Sequence, residues 1–573
     1  MSYSNRRHNE MRVLLFAVML AFLAVFANSQ ASIADSAAEP KLELLPVNPK
    51  YVEYWEKVRA GERPSGLAPS PIDWSILKKE GAARRRARAA VDLPSAYDLV
   101  AEGVTPPVLN QRNWGTCWSF AAIEAIEAGV MSADKTNGTK NHVALSELHL
   151  AYYAYVDEVP DKPAFTGNPN PFENDGKTPR NVIFDNGGIT ELVTALLSRG
   201  TGPLAEAVAP YPDHIPDDLG AWAAYVPNPA PPKGPAQFRL KNAYYFWDDP
   251  EDIKSALMKF GALSFSFGYY VGMVSGDSIY TPDARNSNHR VLLVGWDDNY
   301  PKEAFGPYQP ENDGAWKLQN SWGPRAGTDG FYWISYEDAT LFGAEVGNLY
   351  ALPAAFEMMP ADAYDDDGIY FHDPLGTSGF ISATDAAYDT FTAANAFTAR
   401  RDEKITYIGF MTGQDEQDCE IQIYRDIPDG SSPDKGKAVF AAPLPYRVTD
   451  GGGYVSVKLD DPVPIRKGER FAVAVTFKRP VGDRRLAVPI EQMLEGLWEK
   501  ASINQMESYY LWGNEWRDIY YETDPKGNFC VKAFTAPSPA PDDGGGCDSF
   551  SVGLFGIAGV ALLMFGRKNK KSS

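Results

Sequence analysis

One cysteine stands at a position that suits a nucleophile. Cys117 lies between Gly115, which permits a tight turn, and a run of helix-forming apolar residues that extends to Ala128. A helix start favours the thiolate, because free backbone N–H groups and the helix dipole stabilise negative charge there. The thiolate is the form of cysteine that attacks carbonyl groups. A lone cysteine at a helix start is also often a small buried apolar residue, so position alone leaves both interpretations open.

A cysteine nucleophile needs a base, and one of the six histidines differs from the others. His289 opens the stretch 288–297, a polar turn that leads into a continuous apolar run typical of a buried strand. A base at the mouth of a strand can face a helix start across a cleft. The remaining histidines precede a signal-like segment or stand in polar or helical stretches that suit solvated side chains: His8, His142, His149, His214 and His372.

Two amides can complete such a site. Asn320, in the block Leu318-Gln319-Asn320-Ser321-Trp322-Gly323, can hold the imidazole of His289 in one tautomer. Gln111, six residues before Cys117, can donate a hydrogen bond to an oxyanion at the attacked carbonyl.

The blocks that contain these residues resemble those of papain-like cysteine peptidases. That family has a Gln before Gly-x-Cys-Trp, then an Asn-His-x-Val strand, then Asn-Ser-Trp-Gly, and all three occur here in this order. The resemblance implies the catalytic residues Cys117 as nucleophile, His289 as general base and acid, Asn320 as orienter of the imidazole, and Gln111 as oxyanion donor together with the Cys117 amide. Trp322 would shield the hydrogen bond between Asn320 and His289 from water. The implied substrates are proteins or peptides, and we expect neither a cofactor nor a metal.

Trp322 and four further residues are expected to contact the substrate. Gly187 and Gly188 resemble a family landmark at which a substrate backbone lies close against the cleft wall. Ile189 and Asn288 are expected, by position, to line a mostly uncharged pocket.

The chain departs from the family pattern at three places. Trp114 replaces a frequent structural cysteine, so packing rather than a disulfide must hold the nucleophile helix. Ala326 stands where many relatives have a second Trp, on the leaving-group side of the cleft. Arg290 follows the histidine where a small residue is common, and we interpret it either as an edge charge or as a determinant of specificity.

The length of the chain and its residue patterns predict an α+β enzyme domain with additional segments. A chain of 573 residues exceeds the size at which a single core keeps growing. We predict a papain-like domain at 92–352, with a helical lobe and a β-barrel-like lobe, and a linker at 353–368. A net charge of −21 argues against nucleic acid as a partner.

Residues 369–535 predict an antiparallel β-sandwich. Short alternating apolar runs are separated there by turns rich in Gly, Pro and Asp. The segment resembles the lectin-like domain that follows papain-like domains in some bacterial surface peptidases. Binding of carbohydrate, a structural brace and a substrate exosite are all compatible with the sequence. Cys419 and Cys530 both lie in this segment and can form a disulfide only if the geometry permits it, whereas Cys117 should stay free.

The two ends of the chain predict its location. Residues 1–31 read as a signal peptide and 32–91 as a pro-segment, which ends in the exposed basic run 84–88, a candidate cleavage site. A Pro/Gly spacer at 536–549 contains Gly544-Gly545-Gly546-Cys547 and precedes an apolar transmembrane segment at 550–566 and a basic cytoplasmic tail at 567–573. This arrangement resembles bacterial sorting signals that a membrane enzyme cuts, and a plain membrane anchor is the alternative.

The sequence therefore predicts a secreted or surface-attached cysteine endopeptidase that works through a thiolate/imidazolium pair and an acyl-enzyme. One alternative is a non-catalytic surface or carbohydrate-binding protein on a peptidase scaffold. The other is acyl transfer to an amine by the same residues.

Overall fold

A computed structural model describes residues 42–60, 66–77, 92–136, 142–156, 184, 187–212, 234, 236–341, 352–365, 368–383, 389–414, 416–480, 486–494 and 501–538. The expected signal peptide, the basic run 84–88, the Gly-Gly-Gly-Cys motif, the transmembrane segment and the basic tail lie outside these residues. Within the described ranges, none of the helices has both the length and the apolarity to cross a membrane.

The described helices are few, and most belong to the first half of the chain. They are α1 (Pro49–Arg59), α2 (Leu99–Glu102), α3 (Cys117–Thr136), α4 (Glu147–Val156), α5 (Thr190–Ser198) and α6 (Pro250–Phe260). The central helix α3 is buried without interruption from Cys117 to Ala128, which agrees with its apolar sequence. Asp249 caps α6 by accepting a hydrogen bond from the Glu251 amide, and Gly261 ends that helix at a φ of 89°.

The described strands are numbered in chain order. The first twelve are β1 (Leu42–Leu44), β2 (Ala96–Asp98), β3 (Phe238–Tyr245), β4 (Leu263–Phe267), β5 (Val274–Ser275), β6 (Ser278–Ile279), β7 (His289–Asp297), β8 (Ala315–Gln319), β9 (Phe331–Ser335), β10 (Ala354–Pro360), β11 (Ile369–Tyr370) and β12 (Gly379–Ala383). The others are β13 (Thr390–Thr398), β14 (Glu403–Thr412), β15 (Asp418–Arg425), β16 (Lys437–Ala438), β17 (Leu444–Arg447), β18 (Gly452–Ile465), β19 (Arg470–Lys478), β20 (Leu486–Gln492), β21 (Ser508–Trp512), β22 (Glu515–Asp518), β23 (Gly527–Phe529) and β24 (Val531–Pro537).

A helical lobe and a β lobe face each other, as the resemblance implies. Helix α3 packs against α4 and α5 on one side and against β4, β7 and β10 on the other. Strand β7 pairs antiparallel with both β4 and β8, so the residue that opens it, His289, lies at the edge facing the start of α3. The α+β fold class is confirmed.

One continuous sheet joins the β lobe to the following domain. Strand β3 pairs with β10 on one side and with β18 on the other, with Tyr245 opposite Gly452. Residues 354–360 form β10, although we expected a linker at 353–368. The reason is that β10 bonds to β3 and β4 and so extends the sheet instead of separating two domains.

The segment after residue 368 is a sandwich of antiparallel strands, as expected. Its seven-stranded sheet has the order β16-β15-β19-β13-β21-β22, with β17 paired to β15. Strands β14, β18 and β24 of the joined sheet face it, and a shared apolar core fills the space between them. A four-stranded sheet in the order β1-β12-β20-β23 closes one side.

Part of the expected pro-segment is built into both domains. Its first described strand, β1, pairs antiparallel with β12, with Leu42 opposite Ala383. Tyr51 and Trp55 of α1 are buried in the main core. A second piece, residues 66–77, returns along α1, because Asn48 bonds through its amide N–H to the Pro71 carbonyl.

Candidate active site

The turn before α3 fixes where the cysteine lies. The Asn110 side chain accepts a hydrogen bond from the Arg112 amide, and the Gln111 side chain donates to the Trp114 carbonyl at 2.8 Å. The Ser119 amide then donates to the Thr116 carbonyl, which starts the helix at Cys117. The thiol is only 1% exposed.

The charge state of the thiol is set by two opposing effects. Burial raises the pKa of Cys117 to about 11, while the Arg290 backbone N–H and the Arg290 guanidinium favour the thiolate, as do the amides of Trp118 and Cys117 itself. The Arg290 backbone contact brings the thiol to the strand residue that follows His289. In this covered state the thiol is protonated at neutral pH.

His289 is held by an amide and by aromatic rings. Its Nε2 lies 2.8 Å from Asn320 Oδ1, and the Ser321 amide donates to the same oxygen at 2.8 Å. Because an amide oxygen only accepts, Nε2 carries the proton and Nδ1 is left to exchange one with a thiol. Trp322 stacks on the imidazole with centroids 4.6 Å apart, which places an apolar cover beside the hydrogen bond. Burial lowers the pKa of His289 to about 4, and the bond to Asn320 opposes this shift.

Gln111 joins the loop before α3 to the asparagine block. Its amide donates to the Ser321 carbonyl at 2.8 Å, and its side-chain oxygen accepts from the Ser321 hydroxyl at 2.6 Å. In this state the Gln111 NH₂ group bonds to the Trp114 carbonyl. The structure therefore places Gln111 beside the catalytic loop, and its role as oxyanion donor stays a prediction.

The expected substrate wall lies next to the nucleophile helix. Gly187 has a φ of 71°, and its carbonyl accepts from the Tyr155 hydroxyl at 2.8 Å. A Cβ on Gly188 would lie 2.2 Å from the ring of Trp118, so only glycine fits there. Ile189 is fully buried just before α5.

Asn288 is held by the loop that contains Tyr269, and its contact with a substrate stays a prediction. Its Oδ1 accepts from the Tyr269 amide at 2.8 Å, and its Nδ2 donates to the Tyr269 carbonyl. Both ends of the side chain are therefore committed to the main chain, and Asn288 holds the Tyr269 loop beside His289.

Residues of the expected pro-segment lie in this cleft, a contact that no motif in residues 61–77 predicts. The Ala68 amide donates to the Gly188 carbonyl at 3.4 Å, so the segment lies along the expected substrate wall. A Cβ on Gly66 would lie 2.8 Å from Cys117 Sγ, so the backbone of Gly66 covers the thiol directly. This contact explains much of the burial of Cys117.

Two charged residues behind the cleft are buried. The interpretation of Arg290 as an edge charge is wrong: it is 1% exposed, and its guanidinium donates to Ser264 Oγ at 2.7 Å and to the Leu352 carbonyl at 3.0 Å. Glu191, in the first turn of α5, accepts hydrogen bonds from Ser70 and Trp74 of the pro-segment. The sequence analysis missed Glu191; the signal for it is a single carboxylate inside the apolar run that begins at Ile189.

The other departures have structural explanations. Trp114 stacks on Phe184 with centroids 4.5 Å apart and meets Tyr211 edge to face, so packing holds this loop where relatives have a cysteine. Ala326 is partly buried against the main core. Cys419 and Cys530 are both free and buried, so they do not form the disulfide considered from the sequence.

Two family models match the chain. Residues 93–152 and 232–351 match the model described as papain family cysteine protease, and residues 369–535 match that of a lectin like domain. A probable cysteine protease of Arabidopsis thaliana, RD19C, is 26% identical over 251 residues, which cover 42% of this chain and 56% of the relative. Rat cathepsin J is 25% identical over 250 residues, which cover 43% of this chain and 62% of the relative. The chain thus spans less than two thirds of the length of these curated relatives.

Solved structures extend the likeness beyond the first domain. The cysteine protease and lectin-like domains of Cwp84, a surface layer associated protein of Clostridium difficile, superpose with a TM-score of 0.66 at 24% identity, over 87% of this chain and 99% of that one. A variant of clostridial Cwp84 after propeptide cleavage gives a TM-score of 0.62 at 26% identity, over 78% of this chain and 100% of that one.

Proposed function

We propose that this chain, which carries a papain-like cysteine protease domain followed by a lectin-like domain, is the precursor of an extracytoplasmic cysteine endopeptidase. The observation that carries the proposal is the hydrogen bond of 2.8 Å from His289 to Asn320, beside a thiol at the start of α3. It leaves the other imidazole nitrogen available to a nucleophile.

Each of the four candidate catalytic residues has its own part in the proposed reaction. His289 takes the thiol proton, and the Cys117 thiolate attacks the peptide carbonyl carbon. Gln111 and the Cys117 amide stabilise the oxyanion, and the imidazolium then gives its proton to the leaving amine as the C–N bond breaks. His289 next takes a proton from water as the water oxygen attacks the thioester carbon. The C–S bond then breaks, which releases the acyl group as a carboxylic acid and restores the Cys117 thiolate beside the imidazolium of His289. Asn320 keeps the ring in one orientation throughout, and Trp322 shields their hydrogen bond.

The pro-segment keeps the enzyme inactive in this proposal. Gly66 covers the sulfur and Ala68 bonds to the wall at Gly188, so a substrate cannot enter while the segment stays in place. Cleavage in the basic run 84–88 would free residues 32–91 at their C-terminal end. The mature protein would begin near Asp92.

The proposed location rests on the ends of the chain. The charged and apolar pattern of residues 1–31 supports export, and the apolar segment 550–566 with its basic tail supports at least transient attachment to a membrane. A sorting protease that cuts near Cys547 would then release the enzyme or attach it to the surface. The lectin-like domain would bind carbohydrate or serve as a brace or exosite.

The test is cleavage of a mixed peptide library by the processed protein and by its Cys117→Ala variant. We expect Cys117→Ala to lose activity by about 10⁴-fold or more, since no other group can form the acyl-enzyme. Cys419→Ala, which removes another buried thiol, is the matched control and should keep the parent rate. Retained cleavage in Cys117→Ala, or resistance of the parent to thiol-directed epoxides, would exclude this function. Mass analysis of the products separates hydrolysis, which yields a carboxylic acid, from acyl transfer.

A further inference from the structure

The pro-segment is anchored at a place other than the catalytic thiol. Eight positions after Gly66, the side chain of Trp74 is 1% exposed and enters a box formed by both domains. We call Glu191, Tyr245, Trp247 and Phe380 the indole box. Glu191 belongs to α5, Tyr245 ends β3 and Trp247 follows it, whereas Phe380 lies on β12 of the lectin-like domain.

Three aromatic rings surround the indole edge to face. The centroid of Trp74 lies 5.9 Å from that of Tyr245, 6.2 Å from that of Trp247 and 5.6 Å from that of Phe380. Interplanar angles of 73° to 90° are the arrangement that aromatic quadrupoles prefer. The box is therefore shaped for a large flat ring.

The fourth member of the box selects the kind of ring. Trp74 Nε1 donates to Glu191 Oε1 at 3.0 Å, and Ser70 Oγ donates to the same oxygen at 2.5 Å. Glu191 is 3% exposed, and its second oxygen, Oε2, has no hydrogen-bond partner among the described residues. A buried carboxylate with spare acceptor capacity favours a ring that carries an N–H donor over a purely apolar one.

The walls of the box are held mainly by elements outside the pro-segment. The Tyr245 hydroxyl donates to Thr194 Oγ1 at 2.6 Å. Phe380 lies on β12, which pairs with β20 on one side and with β1 of the pro-segment on the other, and its carbonyl accepts from the Leu45 amide. Glu191 lies three residues after Gly188, so the box adjoins the wall along which the pro-segment and a substrate run. Loss of residues 32–91 would remove β1 and open the box, while β20 would still hold β12 and Phe380.

We propose that the indole box is a secondary binding site of the processed enzyme, which takes a tryptophan side chain of a polypeptide substrate. The proposal rests on the proposed function, because it requires removal of the pro-segment and cleavage of peptides. The lectin-like domain then acts in substrate selection through Phe380. Gly66 and Trp74 are eight residues apart along a path that turns at Ser70 and Asp73, so a substrate that follows the same path places its eighth residue from the thiol in the box.

The first experiment needs neither activity nor processing. In the full chain, Trp74→Ala empties the box and leaves the rest of the pro-segment in place. We expect this variant to bind free indole about 10-fold more tightly than benzofuran in titration calorimetry, because the two rings have the same shape and only indole has an N–H to donate to Glu191. The parent, whose box is filled, should bind neither. Equal binding of the two rings, or none, would overturn the recognition of an indole by this box.

The second experiment uses the processed enzyme and paired fluorogenic peptides. The pairs differ only by Trp or Ala eight residues from the scissile bond, on either side of it. We expect kcat/KM to be about 10-fold higher for the Trp peptide. Phe380→Leu should bring this ratio close to one, whereas Tyr521→Leu, which changes an exposed aromatic of the same domain, should keep it. A ratio of one in the parent would overturn the secondary site. Failure to cleave any peptide would refute the proposed function and with it the substrate role, while the first experiment would still report on the box.

Discussion

The three described cysteines share burial but differ in what buries them. Burial raises the pKa of each thiol, to about 11 for Cys117 and in the same direction for Cys419 and Cys530. Only Cys117 lies at a helix start, with the backbone N–H groups of Arg290 and Trp118 directed at its sulfur. Burial therefore does not distinguish a nucleophile from a core residue in this molecule, whereas the donors around the sulfur do.

The covers of the three thiols also differ. Cys419 lies within β15, opposite Tyr446 on one side and Phe477 on the other, and Cys530 Sγ contacts Thr377 Oγ1 at 3.1 Å. These covers belong to the same domain as the thiols. Cys117 is covered by Gly66, which precedes its domain and can leave. All three thiols are buried to a similar degree. The comparison indicates that Cys117 differs from the other two because the residue that covers it belongs to a segment that processing would remove.

The largest expected effect comes from the base beside Cys117. His289→Ala should lower kcat/KM of the processed enzyme by about 10³- to 10⁴-fold, because both proton transfers lose their carrier. His372 is the matched control: it is another largely buried histidine, stacked on Phe397 in the lectin-like domain. His372→Ala should keep kcat/KM. A similar loss in both variants would mean that disturbed packing, not chemistry, explains the effect of His289.

The next effect tests the removable cover directly. In the full chain, with the pKa of Cys117 near 11 and that of His289 near 4, the thiol and the imidazole are both neutral between these values. Alkylation of Cys117 by iodoacetamide should then be slow at pH 7 and rise only as the pH approaches 11. In the processed enzyme, water reaches the site and the effect of burial is removed, so the pKa of Cys117 falls below that of His289 and the ion pair forms. The thiolate should then be present at pH 6–8 and be lost as the pH falls through the lowered pKa of Cys117.

Peptide mapping of the alkylated protein measures this difference. We expect Cys117 to react about 10²-fold faster at pH 7 after processing. The thiolate fraction rises about 10⁴-fold from the fraction at a pKa near 11, and the lower nucleophilicity of a more acidic thiolate offsets about half of this gain on a logarithmic scale. Cys419 and Cys530 should stay slow in both forms, because their covers remain. Equal reactivity of Cys117 before and after processing would contradict the role assigned to Gly66.

The sequence indicated the candidate site residues more accurately than the boundary between the two domains. The placement of Cys117 at a helix start and of His289 beside Asn320 was predictable, because the roles proposed for them require particular residue types beside a turn or strand end. The strand at 354–360 was not, because its pairing with β3 and β4 depends on residues that lie 90 to 122 positions away in the sequence. The contact of Gly66 with the thiol was also hidden, since a glycine carries no side-chain signal for what its backbone touches. Arg290 was misread because polar partners inside a core are not visible from one sequence.

A smaller effect should follow loss of the orienting amide. Asn320→Ala removes the hydrogen bond to His289 Nε2, whose loss is worth about 1–2 kcal/mol in a buried site. We expect kcat to fall roughly 10-fold with little change in KM, because the substrate does not contact this amide. Asn320→Asp is an informative companion, since its carboxylate would stabilise the imidazolium and raise the pKa of His289. If the pH profile of Asn320→Asp matched that of the parent, Asn320 would not bond to the catalytic ring in solution.

The smallest effect concerns a thiol with a permanent cover. Cys530→Ala removes the sulfur from beside Thr377 and leaves a small cavity, which should cost about 1–3 kcal/mol of unfolding free energy and lower Tm by a few degrees. The activity at 25 °C should not change, because Cys530 lies between β23 and β24 of the lectin-like domain, in the core shared by both domains and outside the candidate active site. Cys530→Ser separates the two contributions: its hydroxyl keeps a partner for Thr377 but does not fill the volume of sulfur. If Cys530→Ala lowered kcat without lowering Tm, the lectin-like core would be coupled to the chemistry, and the contrast between removable and permanent covers would be too simple.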